Sequence, residues 1–257
     1  MLWCGVVSLF PEMFSALINY GVTGRAVTNK QIHLDLLNPR AFSLPPHYRV
    51  DDKPYGGGPG MVMQVEPLQK AIQQAKANYK QFIQSGDQIQ SNRFNPSQSI
   101  GTPKVIYLSP RGKQVTHSTL FQQARSLEPL IFIAGRYEGI DQRLIELEVD
   151  QEWSIGDYIL TGGELPAMVI LDALIRLVPG VLGDPTSCDL ESFSDGLLEY
   201  PQYTRPEKYQ GLSVPEVLLS GNHVKIKNWR DEQKMKQTSA LRPDLLNNGA
   251  KQTANKN

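Results

Sequence analysis

The chain has 257 residues, enough for one large domain or two modest ones, and its 40% hydrophobic and 20% charged content are typical of a globular protein. No apolar run approaches the roughly 20 residues of a membrane-spanning helix, so we expect no membrane partner, and the apolar N-terminus lacks the basic lead-in of a signal peptide. Cys4 and Cys188 have no metal-ligand spacing, so we expect free thiols, no bound metal and a reducing, cytoplasmic location.

Strand and helix patterns alternate along the first two thirds of the chain. Strands are predicted at Leu2–Phe10, Gln31–Leu37, Lys104–Ser109 and Leu130–Ala134. Helices are predicted at Pro11–Asn19, Val22–Asn29, Glu66–Gln81, Ser118–Arg125, Ile140–Glu148 and Leu165–Val178. This alternation predicts an α/β fold around a mostly parallel sheet.

Two segments show little periodicity. Asn38–Met63 contains the glycine-rich run Gly56–Gly60, which matches neither a P-loop nor a dinucleotide-binding fingerprint, so both of these site classes are rejected. A flexible surface turn and a substrate-binding lid remain as alternatives for it. Residues 82–102 are rich in Gln, Ser, Asn and Gly, which predicts a solvated polar insertion.

Glycine-bearing loops follow three apolar runs, at Leu108–Gly112, Gly135–Gly139 and Ser154–Gly163. The third surrounds a short β-friendly run, Tyr158–Leu160, and opens into the last predicted helix. Glycine lets backbone approach a ligand closely, and unpaired backbone groups can recognise its polar edges. Although simple turns would have the same spacing, three such loops predict one pocket at the strand ends of an α/β sheet.

The charge is unevenly distributed, although the formal net charge is zero. Of the 26 Lys and Arg residues, 10 lie from Pro201 onward, where only 5 of the 26 Asp and Glu residues lie. A basic C-terminal portion is typical of a module that meets a phosphate backbone, and a solvated helix face has the same composition.

Nine short motifs, in this order, resemble one known family. They are SLFPEMF, GVTGRAV, VDDKPYGGGPGM, VIYLSPRG, GRYEGID, EWSIGDYILTGGELPAM, PGVLG, YTRPEKY and VLLSGNH. Together they are similar to the bacterial tRNA (guanine-N1)-methyltransferase family of the SPOUT class. The resemblance runs from Leu2 to about Leu246 and is interrupted by the polar insertion.

The resemblance implies an α/β SPOUT-type trefoil-knotted methyltransferase domain with a small all-helical C-terminal domain. It places the knotted cofactor-binding domain at 1–180, an interdomain loop at 181–203, and a helical tRNA-binding domain with a flexible tail at 204–257. It implies transfer of a methyl group from S-adenosyl-L-methionine to N1 of the guanosine 3′ of the anticodon, position 37, in tRNA. It also implies a homodimer in which the partner chain completes each site.

The family's cofactor site matches the three loops of this chain. The residues implied are Leu108, Pro110, Gly135, Tyr137, Glu138, Ile155, Gly156, Asp157, Tyr158, Ile159, Leu160 and Gly162. Glu138 would serve the methionine end of the cofactor or a magnesium ion, or else cap the following helix. Asp157 would contact the cofactor or hold its own loop through backbone hydrogen bonds.

Methylation of guanine N1 needs a carboxylate to accept the N1 proton and a cation to offset charge on O6. Arg176 matches the family's catalytic arginine, although an arginine there could simply anchor the helix end. Glu191 aligns where the family usually has an aspartate, and its extra methylene changes the reach by roughly 1.5 Å. Asp189, two residues earlier, is the alternative base.

Basic residues on the stretch after Gly221 are candidate phosphate contacts, and they are Lys225, Lys227, Arg230, Lys234 and Lys236. Two rival functions remain at this point: a related SPOUT enzyme acting on another RNA, and an RNA-binding protein with an impaired active site. The DDKPYGGGPGM motif and the C-terminal motifs disfavour the first rival, and the intact glycine loops with Arg176 disfavour the second.

Overall fold

The computed structural model describes residues 1–85, 101–183, 188 and 191–246. Most of the expected polar insertion, the alternative base Asp189 and the expected C-terminal tail lie outside these residues. The chain forms two compact units, Met1–Gly183 and Asp184–Asn257. Within the described residues, no helix combines the length and the apolar character needed to cross a membrane.

The described strands and helices follow the alternation expected from the sequence. The strands are β1 (Leu2–Val7), β2 (Ile32–Leu37), β3 (Asp51–Asp52), β4 (Val62–Met63), β5 (Lys104–Gln114), β6 (Leu130–Ile133), β7 (Gln151–Ser154), β8 (Lys208–Tyr209) and β9 (Leu212–Ser213). The α-helices are α1 (Ser15–Asn19), α2 (Gly21–Thr28), α3 (Val65–Gln84), α4 (His117–Ser126), α5 (Gln142–Glu148), α6 (Glu164–Leu177), α7 (Glu216–Leu219) and α8 (His223–Leu241). Short 3₁₀ turns lie at Pro11–Phe14 and Pro39–Phe42.

The first unit is built on a five-stranded sheet in the order β2-β1-β6-β5-β7. Every pair in it is parallel, which confirms the predicted α/β class with a parallel central sheet. Strands β1 and β6 are buried along their whole length, as expected when helices cover both faces of a parallel sheet. Helices α3 and α5 pack on one face, and α4 and α6 pack against each other.

Two local expectations were wrong near the end of this sheet. The segment Leu108–Gly112, expected as a loop after a strand that ends at Ser109, lies within β5, because the chain on both sides of it pairs with the edge strand β7. The β-friendly run Tyr158–Leu160 is an exposed loop instead of a strand. Gly156 precedes it with φ +151°, outside the strand region of an ordinary residue, and turns the chain away from the sheet.

The second unit is not all-helical, contrary to expectation. Strands β8 and β9 form an antiparallel hairpin. They are joined by Gln210 and Gly211, both with positive φ, as a two-residue type I′ turn requires. The loop that carries Glu191 packs on α8, where the Leu198 amide donates to Thr238 Oγ1 (2.9 Å). An ion pair between Lys234 and Asp195 adds a second attachment.

Candidate functional site

The irregular middle of β5, around Leu108–Pro110, and the loops that follow β6 and β7 enclose a pocket of about 280 Å³. Parallel strands end at the same edge of a sheet, which is where ligands bind in open α/β folds. Of the twelve residues expected to hold a cofactor, eleven line this pocket: Leu108, Pro110, Gly135, Tyr137, Glu138, Ile155, Gly156, Tyr158, Ile159, Leu160 and Gly162. Asp157 does not line the pocket and is exposed.

The loop after β7 keeps its shape through glycine and one serine. A Cβ on Gly156 would lie 2.5 Å from the Tyr158 ring, closer than real side chains approach. The Ser154 hydroxyl accepts from the Gly156 amide (3.1 Å) and lies 3.1 Å from the Gly156 carbonyl, to which it donates. At the far end, the Gly163 amide donates to the Gly135 carbonyl (2.8 Å), which joins this loop to the one after β6.

A buried ion pair that the sequence did not single out supports the same junction. Arg136 Nε lies 2.8 Å from Glu164 Oε2, and the Glu164 side chain is almost fully buried. The Ser8 hydroxyl donates to the other carboxylate oxygen (2.9 Å), and Arg136 also donates to the Thr161 carbonyl. The guanidinium lies 4.6 Å from the centre of the Phe10 ring. The buried carboxylate therefore has a counter-charge and a hydrogen-bond donor within the protein.

The glycine-rich segment is attached to the pocket rim. The Glu138 amide donates to the Met61 carbonyl (2.9 Å), and the Met63 amide donates to the Gly139 carbonyl (2.9 Å). A Cβ on Gly60 would lie 2.4 Å from a carboxylate oxygen of Glu138. The lid interpretation of this segment gains support from these contacts, because its C-terminal end is held at the pocket.

Both candidate catalytic residues are half-buried. Arg176 is in the last turn of α6, in the first unit, and Glu191 is in the second unit. The backbone carbonyl of Glu191 accepts from the Ser194 amide (3.2 Å) and from the Ser194 hydroxyl (2.7 Å), so the turn that carries this glutamate is closed. The catalytic roles of Arg176 and Glu191 stay predictions.

Burial affects one ionisable group of the pocket. It raises the pKa of the Tyr107 hydroxyl, against the smaller opposing effects of a backbone hydrogen bond and of Arg111. Tyr107 therefore stays a neutral donor at physiological pH. Among the described residues, no group of three or more His, Cys, Asp or Glu side chains could hold a metal ion.

The basic residues of α8 divide into two groups. Lys225, Lys227 and Lys236 are exposed, and Lys227 Nζ lies 2.6 Å from Asp231. Lys234 is buried and paired with Asp195, so its expected role as a phosphate contact was wrong. Thr238 lies four residues later on the same side of α8, and this side faces the loop that carries Asp195. Arg230 lies over the Tyr200 ring at 4.6 Å.

Comparison with known proteins adds to this geometry. The family model tRNA (Guanine-1)-methyltransferase TrmD matches residues 2–248. A tRNA (guanine-N(1)-)-methyltransferase of Psychromonas ingrahamii is 53% identical, over 96% of this chain and 92% of the relative. Those of Pseudoalteromonas atlantica (54% identical, over 95% of this chain and 84% of the relative) and Shewanella loihica (52%, over 96% and 91%) are similarly close. The resemblance found in the sequence is thus confirmed, and the chain belongs to the tRNA (guanine-1)-methyltransferase TrmD family.

Proposed function

We propose that this protein is an enzyme that transfers a methyl group from S-adenosyl-L-methionine to N1 of a guanine in tRNA. The finer assignment within this proposal is the guanosine 3′ of the anticodon, position 37. Family membership along nearly the whole chain supports the reaction class. The observation that carries the proposal is the pocket that the irregular middle of β5 and the glycine-bearing loops after β6 and β7 form.

The residues of this pocket suit the methyl donor. Its volume of about 280 Å³ is near the lower end of small-molecule sites. Among the described residues, the amides of Asp157–Leu160 donate one backbone–backbone hydrogen bond, from the Tyr158 amide to the Gly156 carbonyl. The other amides of this segment are therefore available to the polar edges of a ligand. Tyr158 and Leu160 offer exposed apolar surface on which a purine ring can lie.

A trefoil knot belongs to the proposal. Leu108 and Lys113 both pair with Trp153 in the sheet, so the chain between them loops out and returns to the same point of β7. Gly112 lies so close that an added Cβ would be 2.5 Å from the backbone of Trp153. A chain that continues from β7 beneath this loop to α6 would thread it, an exception to the usual rule for connections.

A homodimer with shared active sites is supported by apolar surface near the pocket. Leu165 and Val169 lie on the same side of α6, one turn apart, and both are about half exposed. Ile159, in the loop beside them, is 81% exposed. Exposed large apolar residues of this kind are typical of an interface, and a partner that covered Ile159 would reach one of the pocket loops.

In the proposed mechanism, Glu191 accepts the N1 proton of guanine and Arg176 offsets the negative charge that develops on O6. The donor supplies a methyl group on a sulfonium, so the new N1–C bond forms as the C–S bond breaks. The Glu191 carboxylate ends protonated and must release this proton before the next turnover. The chain's backbone groups hold the donor in place, which converts the reaction into an intramolecular one.

Methylation of an unmodified tRNA transcript tests the proposal. We expect a primer-extension stop at guanosine 37, because a methyl group on N1 blocks pairing, and no stop in a transcript with adenosine at that position. Methylation of ribosomal RNA instead would favour the related SPOUT enzyme. Binding of tRNA without transfer would favour an RNA-binding protein with an impaired site. Parallel reactions with EDTA test the magnesium requirement, and tRNA as substrate leads us to expect a cytoplasmic location.

A further inference from the structure

The second unit contains a cavity that the methyl-transfer site does not use. It has a volume of about 550 Å³, within the range of small-molecule sites, and all its lining residues lie between positions 200 and 230. Its rings and charges come from Tyr200, Tyr203, Arg205, Glu207, Trp229 and Arg230. We call it the aromatic–arginine pocket.

Two aromatic rings of this pocket leave room for the ring of a ligand to stack on them. The Tyr203 and Trp229 ring centres are 6.4 Å apart and their planes are inclined by 56°, so neither ring covers the face of the other. Tyr203 is 48% exposed although it lines a cavity. An open aromatic face at a cavity is the feature on which unstacked nucleobases bind.

The guanidinium of Arg230 is held in a fixed position beside these rings. It lies 4.6 Å from the centre of the Tyr200 ring, and Tyr200 itself is buried. The Nε atom of Arg230 is buried and has no hydrogen-bond partner among the described residues. Because the Nε atom is buried, the donors that a ligand could reach are the terminal N–H groups, and those of a flat guanidinium suit a phosphate or a base edge.

The charges around the pocket favour an anionic ligand. Arg205 and Arg230 line it, and Glu207 is the acidic residue among the lining residues. The exposed lysines of α8 add further positive charge to the same unit. A purely apolar ligand would leave the guanidinium groups unused, whereas a nucleotide combines a ring for Tyr203 or Trp229 with a phosphate for the arginines.

We propose that the aromatic–arginine pocket binds one unstacked nucleotide of the tRNA substrate, outside the methyl-transfer site. The base lies on the faces of Trp229 and Tyr203, and its phosphate is near Arg205 and Arg230. The proposal rests on the proposed function, because that function makes tRNA the substrate. It adds a contact that positions the RNA through a base as well as through its backbone.

Tryptophan fluorescence of the full-length protein tests this directly. The chain has three tryptophans, and Trp3 and Trp153 are only 2% and 6% exposed. Because Trp153 lines the proposed donor pocket, only the quenching that Trp229→Phe removes reports Trp229. Titration with a seven-nucleotide single-stranded RNA should quench the fluorescence, and Trp229→Phe should abolish the change. The same RNA with abasic sites should not quench. Equal quenching by both RNAs would overturn base stacking, and quenching with protein concentration alone would assign the pocket to a second copy of the chain.

Substitutions separate this site from the catalytic one. Tyr203→Leu should weaken tRNA binding roughly 5- to 150-fold, the effect of removing one aromatic ring on which a base stacks. Tyr209→Leu, an exposed tyrosine of β8 outside the pocket, is the matched control and should leave affinity unchanged. Saturating tRNA should restore methyl transfer by Tyr203→Leu. Unchanged affinity of Tyr203→Leu with normal transfer would overturn the pocket and leave the proposed function intact, whereas absence of transfer by the unaltered protein would refute the function itself.

Discussion

Arg136 and Glu164 join the start of the loop after β6 to the start of α6, with Nε and Oε2 2.8 Å apart and the carboxylate almost fully buried. Both residues of the pair lie in chain segments that flank the proposed donor pocket. Because Ser8 at the end of β1 binds the same carboxylate, three elements of the sheet edge share one polar centre. We expect this centre to determine how firmly the pocket loops are held.

Removal of the arginine should be costly. Arg136→Met would leave the Glu164 carboxylate buried without a counter-charge, so we expect the free energy of unfolding to fall by about 3–5 kcal/mol. Urea denaturation at pH 7 measures it. Arg111→Met is the matched control, because Arg111 is 62% exposed and lies 3.4 Å from Glu152; its loss should cost less than about 1 kcal/mol. Equal losses in the two variants would show that the buried pair has no special role.

Gly156→Ala should damage the pocket without unfolding the protein. The residue has φ +151°, and an added Cβ would contact the Tyr158 ring at 2.5 Å. Strain of about 1–3 kcal/mol would move the loop that is proposed to hold the donor, so affinity for S-adenosyl-L-methionine should fall by about tenfold or more. Isothermal titration calorimetry measures it. Gly183→Ala, where an added Cβ would have no other described residue within 4 Å, should bind normally, and normal binding by both variants would remove the loop after β7 from the site.

The assignment of the general base can be decided with three variants. Glu191→Gln should slow single-turnover methyl transfer roughly 10²- to 10⁴-fold while leaving donor affinity unchanged, because only proton acceptance is lost. Glu191→Asp, which introduces the residue usual in the family, should retain transfer. Asp189→Asn should be nearly normal. If Asp189→Asn alone abolishes transfer, the base is Asp189.

Glu148 should make stability depend on pH. Burial on its own would raise its pKa, but hydrogen bonds from Lys76 (2.8 Å) and Gln69 (3.0 Å) outweigh burial and leave the pKa lowered. A carboxylate with a lowered pKa in the folded state stabilises the protein above its unfolded pKa of about 4.3, and this contribution is lost as pH falls through the folded pKa. Glu148→Gln should therefore be less stable than the parent at pH 7, and the difference should shrink below about pH 4.

Urea denaturation between pH 3 and pH 7 measures the effect of Glu148→Gln. The control is Glu66→Gln, which removes an exposed pair on α3, the helix that also carries Lys76, and should change stability by less than about 1 kcal/mol at any pH. A pH-independent difference between the parent and Glu148→Gln would contradict the assigned linkage.

Two exposed lysines of α8 are the better candidates for binding phosphate groups. Lys225→Gln with Lys236→Gln should weaken tRNA binding and reduce the slope of log affinity against log salt by about two, one for each phosphate that a lysine no longer neutralises. Filter binding at salt concentrations from about 50 to about 200 mM measures this slope. Lys234→Gln should instead lower thermal stability, because it removes the partner of Asp195.

The pocket was predictable from local patterns, whereas its supports were not. Each glycine-bearing loop follows an apolar run, and parallel strands bring such loops to one edge, which predicts a pocket there. The eleven individual residues that line it were implied by the resemblance to the family. Arg136 and Glu164 are 28 positions apart, and nothing local distinguishes them from surface charges. Lys234 has the same limitation, since its burial depends on Asp195 in a distant loop. The β8–β9 hairpin turns at Gln210-Gly211, which lacks the Asn-Gly signal.

The hydrogen bond between the Glu138 amide and the Met61 carbonyl attaches the glycine-rich segment to the same loop that borders the proposed donor pocket. A disturbance of that loop by an arriving donor would thus be transmitted to the segment through this bond and through the one from the Met63 amide to the Gly139 carbonyl. We therefore expect the donor to bind before the RNA. We also expect this order of binding to need no movement of any helix. Lengthening the segment by one residue beside Gly60 should then uncouple the two binding events while each still occurs.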